Sequence, residues 1–88
     1  MKYHVDFTEH ARKQLSKFDV YVQKMILLWL NKNINNCDDP RILGKPLSGN
    51  QSGQWRYRVG DYRIIAEIQD DKIIIFVINV DKRNDIYK

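Results

Sequence analysis

Residues 55–65 read WRYRVGDYRII. Two strand-like runs flank Gly60-Asp61, a pair suited to a two-residue β-hairpin turn. With a turn of that length, Val59 faces Tyr62, Arg58 faces Arg63, Tyr57 faces Ile64 and Arg56 faces Ile65. Residues opposed across an antiparallel pair share a face, and alternation carries that face along each strand. Arg56, Arg58 and Arg63 are therefore expected on one side of a sheet, with Trp55, Tyr57, Val59, Tyr62 and Ile64 on the other. Like charges set directly opposite one another destabilise a sheet. An anion is expected to occupy the gap between Arg58 and Arg63. Guanidinium groups hold phosphate or carboxylate oxygens through paired hydrogen bonds, and either anion fits the pattern.

Further along, Tyr62 to Gln69 and Lys72 to Val80 read as two more strands, turned at Asp70-Asp71. That turn sets Ile68 against Ile73, Ala66 against Ile75, Ile64 against Val77 and Arg63 against Ile78. Ile64, Ala66, Ile68, Ile73, Ile75 and Val77 then make a wholly apolar face, the one to bury. The arginine side also carries Ile65, Ile74, Phe76 and Ile78 around Glu67, a mixed surface of the kind that contacts proteins. The tail DKRNDIYK leaves the sheet near the basic cluster and adds Lys82, Arg83 and Tyr87.

Before the hairpin, Tyr3, Val5 and Phe7 alternate with polar residues over a first strand at residues 2–7. Thr8 is placed to cap a helix whose apolar positions are Ala11, Leu15 and Phe18. Asp19 is the candidate cap of a second helix, with Val22, Met25, Ile26, Trp29 and Leu30 on its stripe and Leu28 broadening it. Asp38, Asp39 and Pro40 close that helix. Residues 41–54, RILGKPLSGNQSGQ, read as a connector, and the misplaced lysine rules out a phosphate-binding loop. The fold class is α+β: an N-terminal strand, a helical hairpin and a three-stranded antiparallel meander, with both helices on one face of a single small sheet.

The 88 residues suit one domain, 1–88, with one modest core. No apolar run is long enough to span a bilayer, and MKYHVDF lacks the features of a signal peptide. The lone Cys37 has no internal disulfide partner, which fits the cytoplasm. A net charge of +4 shortlists nucleic acid, the ribosome or an acidic protein as partners. His4 and His10 have no evident ligand companions and read as solvated.

Lys45 to Tyr87, and above all LSG, WRYRVGDYRII and KRNDIY, resembles the RelE/ParE superfamily of toxins from type II toxin–antitoxin pairs. Within it the chain is most similar to the RelE branch, the messenger RNA interferases. The resemblance implies a ribosome-dependent endoribonuclease that uses no metal or other cofactor, in which the 2′-hydroxyl attacks the neighbouring phosphate. Carried over position by position, Arg56 and Arg58 contact the scissile phosphate and Arg63 steadies it in the transition state. Arg83 protonates the leaving oxygen and Tyr87 stacks on and orients the nucleotide. Lys45 and Lys82 are additional candidates for RNA or ribosome contact.

Some members use lysine near the base position, where this chain has arginine at both Arg56 and Arg58. Arginine rarely gives up its proton. The general base is thus left open among Tyr87, a transiently neutral guanidine, and groups of the substrate or ribosome. The resemblance also implies a cognate antitoxin and an operator-DNA association made through that antitoxin. A ParE-like DNA gyrase inhibitor and a non-catalytic nucleic-acid or protein-binding module are the competing expectations.

Overall fold

The hairpin at Gly60-Asp61 forms in the register read from the sequence. In the computed structural model, which describes residues 2–47 and 53–82, it joins two adjacent antiparallel strands in the interior of a five-stranded sheet. The elements are β1 (His4–Phe7), α1 (Glu9–Ser16), α2 (Val20–Asn33), β2 (Lys45–Pro46), β3 (Gln54–Val59), β4 (Tyr62–Gln69) and β5 (Ile74–Lys82). Across the sheet the order is β1-β5-β4-β3-β2, with β1 parallel to β5 and every other pair antiparallel. The expected α+β order is present, with one addition. Lys45–Pro46, read as connector, pairs with β3 as a short edge strand.

Thr8 caps α1 as expected, its Oγ1 accepting from Ala11 N–H at 3.1 Å. Asp19 occupies the N-cap position of α2 without a side-chain hydrogen bond. Three residues, Lys17 to Asp19, separate the helices. Phe18 lies in that connection and meets Tyr62 edge-on at 5.1 Å. Ala11, Leu15, Ile26, Leu30 and Ile34 pack on Tyr57, Val59, Ile64, Ala66, Ile75, Val77 and Val80. Burying each of the larger side chains contributes roughly 1.5–3 kcal/mol, and together they hold the helices to one sheet face. The α2 stripe is narrower than expected: Leu28 points to solvent at 69% exposure, while Ile26 and Leu30 are buried.

The second hairpin departs from the expected register. Its loop is four residues, Asp70 to Ile73, so Gln69 faces Ile74 and Ile68 faces Ile75. Asp-Asp offers no glycine for a tight two-residue turn, and a longer loop is the common alternative. Ile73 closes it at φ 49°, outside the strand. Asp70 is held from outside the loop, by a two-nitrogen contact from Arg41 (3.1 and 3.0 Å) and by the Tyr3 hydroxyl (2.6 Å). These partners pull the Asp70 carboxyl below the usual carboxylate range, the Arg41 hydrogen bonds being the main cause and the Tyr3 bond the next.

A bulge follows. Between Ile65 and Ala66 the register shifts, Ile78 has no partner, and the pairs become Ile65–Asn79, Ile64–Val80 and Arg63–Asp81. The expected neighbour of Arg63, Ile78, is therefore replaced by a carboxylate. A one-residue bulge exchanges the faces of everything beyond it. Val80 thereby joins the buried face. Among the described residues no helix is long and apolar enough to cross a membrane.

Candidate functional site

Gly60 has φ +60° and Asp61 does not share the positive φ, the pattern of a turn that matches strand twist with glycine first. That turn fixes what stands opposite what. Arg58 pairs directly with Arg63, and Arg56 with Ile65. On the open side of β3, Lys45 pairs with Arg56. On the far side of β4, Asp81 pairs with Arg63. Two rows thus run across the sheet: Lys45, Arg56, Ile65, Asn79 and, beside it, Arg58, Arg63, Asp81. Residues two apart along a strand share its face, so four cations and one carboxylate occupy a single patch. Tyr57 and Val59, the alternate residues, are buried beneath the helices.

On its helical side the patch rests on apolar packing and on side-chain hydrogen bonds to backbone carbonyls. Tyr57 is fully buried, and its hydroxyl donates to the Pro40 carbonyl. Burial pushes its phenol up, well beyond an ordinary tyrosine. Trp29 of α2 leans on the Tyr57 ring, with centroids 5.9 Å apart. Trp55 donates from Nε1 to the Leu43 carbonyl at 2.6 Å and ties the connector to β3. Gly44 sits at φ +80°, and a side-chain carbon there would run into the Arg56 carbonyl and lie 2.8 Å from Trp55 Nε1. Glycine is required at that close approach. Beside it opens a cleft of about 310 Å³ lined by Trp29, Leu43, Gly44, Lys45, Arg56 and Arg58.

Charge is not evenly matched across the patch. Arg58 is exposed and Arg56 and Arg63 are half-buried. Arg63 Nε lies 3.4 Å from Asp81 Oδ1, with side-chain exposures of 30% and 37%. The anion expected beside Arg58 and Arg63 is thus partly supplied by the chain itself. Arg56 and Arg58 make no side-chain hydrogen bond or ion pair among the described residues, and they stay available to a ligand anion. The structure brings Lys45, Arg56, Arg58 and Arg63 together. Lys82 pairs with Tyr62, whose ring packs on Phe18, so the register sets Lys82 on the helical side and away from the arginines. Arg83 and Tyr87 lie outside the described residues.

Sequence reasoning missed Asp81 and the cleft wall made by Trp29, Leu43 and Gly44. No sequence signal marked Asp81: the change of phase shows only in burial, where Val77 and Val80 are three apart yet both buried. Among the described residues, no three His, Cys, Asp or Glu side chains gather as a metal site would need. Cys37 is half-buried, and desolvation raises its thiol above the usual range. That shift makes it a poorer nucleophile.

The pattern of the family described as the ParE toxin of type II toxin–antitoxin systems matches residues 5–87. Toxin RelG of Mycobacterium tuberculosis is 31% identical over 88 residues, covering 100% of this chain and 99% of that protein. The mRNA interferase toxin RelE of Escherichia coli is 31% identical over 84 residues, covering 94% of this chain and 85% of that one. Among solved structures, the toxin–antitoxin complex RelBE2 of M. tuberculosis contains a chain that superposes with a TM-score of 0.84 at 28% identity. The match covers 94% of this chain and 93% of that chain.

Proposed function

The chain belongs to the ParE toxin family of type II toxin–antitoxin systems, and on that premise we propose that it is a RelE-like endoribonuclease toxin that cuts messenger RNA and is held inactive by a cognate antitoxin. The observation that carries this reading is the single-faced set of Arg56, Arg58 and Arg63 on the β3–β4 hairpin. The similarity to a named mRNA interferase over most of the chain supports it. The similarity to a chain from a toxin–antitoxin complex supports the antitoxin.

Cleavage begins with the 2′-hydroxyl of one nucleotide attacking the adjacent phosphorus as its proton passes to a base, one of Tyr87, a transiently neutral guanidine, or a group of the substrate or ribosome. The P–O5′ bond breaks, leaving a 2′,3′-cyclic phosphate and a 5′-hydroxyl. Negative charge grows on the phosphate oxygens as this happens. Guanidiniums fixed on a rigid hairpin stabilise that charge more than the ground state, which lowers the barrier. Arg56 and Arg58 bind the scissile phosphate and Arg63 meets its developing charge. By likeness to the family, Arg83 supplies the proton for the departing 5′ oxygen and Tyr87 orients the nucleotide. Lys45, beside Arg56, steers RNA toward the cleft.

Arginines hold a phosphate but do not by themselves bring a 2′-hydroxyl into line. The ribosome, by fixing the message, supplies that alignment. The reaction then belongs in the cytoplasm, with residues 1–88 acting as one unit. The antitoxin covers the arginine patch with acidic groups and covers half-buried Phe76 and Ile78 with apolar ones. Any contact with operator DNA is made through that partner.

Induction of the protein in growing bacteria, with mapping of new message 5′ ends, tests this. Cuts within translated codons are expected, absent from a matched message lacking its start codon and lost in Arg63→Ala and Arg83→Ala. DNA breaks with intact messages would overturn the nuclease reading in favour of gyrase poisoning. Tight RNA binding without any cut would favour a binding module.

A further inference from the structure

Behind the arginine patch a chain of hydrogen bonds runs from α1 to Arg63. It starts where β1 has ended and the edge of β5 is open. There the Val80 backbone N–H donates to Gln14 Oε1 at 2.8 Å. A backbone N–H can only donate, so the Gln14 amide has one orientation. Its Nε2 donates to Asn79 Oδ1 at 2.8 Å. Asn79 in turn donates from Nδ2 to Asp81 Oδ2 at 2.9 Å. The other Asp81 oxygen, Oδ1, faces Arg63 Nε at 3.4 Å. Both of these atoms are buried, and neither closes a hydrogen bond among the described residues.

We propose that Asp81 is a positioning residue: oriented from α1 through Gln14 and Asn79, its carboxylate holds the Nε edge of Arg63 and leaves the two terminal nitrogens to the phosphate. The proposal rests on the nuclease reading for its consequence, though the contact itself does not. A guanidinium has five donors in a rigid fork. Engaging the Nε side fixes the plane of the fork, and the terminal nitrogens make no hydrogen bond among the described residues. Preorganised donors need no rearrangement when charge develops on the substrate. The bulge at Ile65/Ala66 creates this arrangement, because without it Arg63 would face an apolar neighbour.

Simple charge neutralisation is the rival explanation, and Gln14→Glu separates the two. A carboxylate at position 14 still accepts from Val80 N–H but cannot donate to Asn79. If the Asn79 amide turns over to donate to it, Asn79 Oδ1 then faces the Asp81 carboxylate. Either way the chain breaks, while Asp81 keeps its charge. Neutralisation alone predicts that the added carboxylate weakens message binding and leaves the turnover of bound message unchanged.

Asp81→Asn and Gln14→Glu are compared with wild type by ¹⁵N NMR of the arginine Nε–H groups. They are also compared by single-turnover cleavage on ribosomes and by binding of a 2′-deoxy, uncleavable message. Arg63 Nε–H should exchange with solvent at least ~10-fold more slowly than Arg58 Nε–H in wild type, and lose that protection in both variants. Turnover should fall about 10-fold, with message affinity held within about 3-fold or tightened.

Wild-type turnover in a folded Gln14→Glu would overturn the proposal. So would unprotected Arg63 Nε–H in wild type, or a loss confined to message binding. Gln14→Glu, remote from the RNA, carries the test if Asp81→Asn fails to fold. A wild-type protein that cuts no message counts against the nuclease reading alone, and Nε–H exchange still decides the contact.

Discussion

Arg58→Gln and Arg63→Gln remove the same charge from opposed positions on one sheet face, yet they should change stability in opposite directions. Arg58 is exposed and sits directly across from Arg63. Opposed like charges cost about 0.2–1 kcal/mol, so Arg58→Gln should recover up to that amount. At about 4–8 °C per kcal/mol for a domain of this size, Tm should rise by about 1–8 °C. The gain should shrink in high salt, because exposed charges are screened. Arg63→Gln relieves the same repulsion but also leaves Asp81, 37% exposed, without its cation, which is the larger effect. Stranding a half-buried carboxylate costs less than the 3–5 kcal/mol of a fully buried pair, about 1–2 kcal/mol, and Tm should fall.

Activity should not follow stability. On the proposed function each glutamine removes a charged hydrogen-bond donor from the phosphate, worth about 1.5–3 kcal/mol, so cleavage should fall about 10- to 150-fold in both variants. Thermal unfolding at two salt concentrations, beside ribosomal cleavage, reads out both predictions. If Arg58→Gln destabilises as much as Arg63→Gln, the assignment of Asp81 as the partner of Arg63 alone is wrong.

Tyr57→Phe keeps the ring but strands the buried Pro40 carbonyl, and urea unfolding should show a loss of about 1–3 kcal/mol; a loss below ~0.5 kcal/mol would deny that hydrogen bond a structural role. Gly44→Ala forces the connector away from Arg56, and should weaken message binding at the cleft more than it lowers Tm, as a paired binding and melting measurement would show. Asp70 has a folded-state pKa below its unfolded value, so its contribution to stability is complete above an unfolded value of about 3.9 and is lost as pH falls through the folded one. Urea midpoints followed from neutral pH into that acid range should drop less in Asp70→Asn than in wild type, and parallel curves would refute the Arg41–Asp70–Tyr3 linkage.

The first hairpin was legible residue by residue, because Gly60-Asp61 permits a tight turn and alternation on both sides agrees on a single register. The second was not. Ile73 to Ile78 is apolar at every position, so alternation there marks no face. With the turn lengthened by two residues and a bulge added, each shift was invisible to a period-two pattern. The apolar partners near the loop still fell on the buried side, since a shift of two preserves parity. Only beyond the bulge did the faces exchange, and there a carboxylate replaced Ile78 beside Arg63. β2 escaped notice because a two-residue edge strand ending in Pro46 carries no periodic signal. Lys45 was nonetheless a candidate from its charge, and the edge pairing places it beside Arg56. On α2, Leu28 fitted the apolar stripe by type, but the helix turns it to solvent.

The most direct measurement is a titration of the free protein with a short 2′-deoxy oligonucleotide, following every arginine Nε–H resonance. Arg12 on α1 and Arg41, tied to Asp70, act as internal controls. Arg56, Arg58 and Arg63 should shift together, with one shared affinity, while both controls stay still. Movement of Arg12 and Arg41 to the same extent, or three separate affinities within the hairpin, would contradict a common phosphate site.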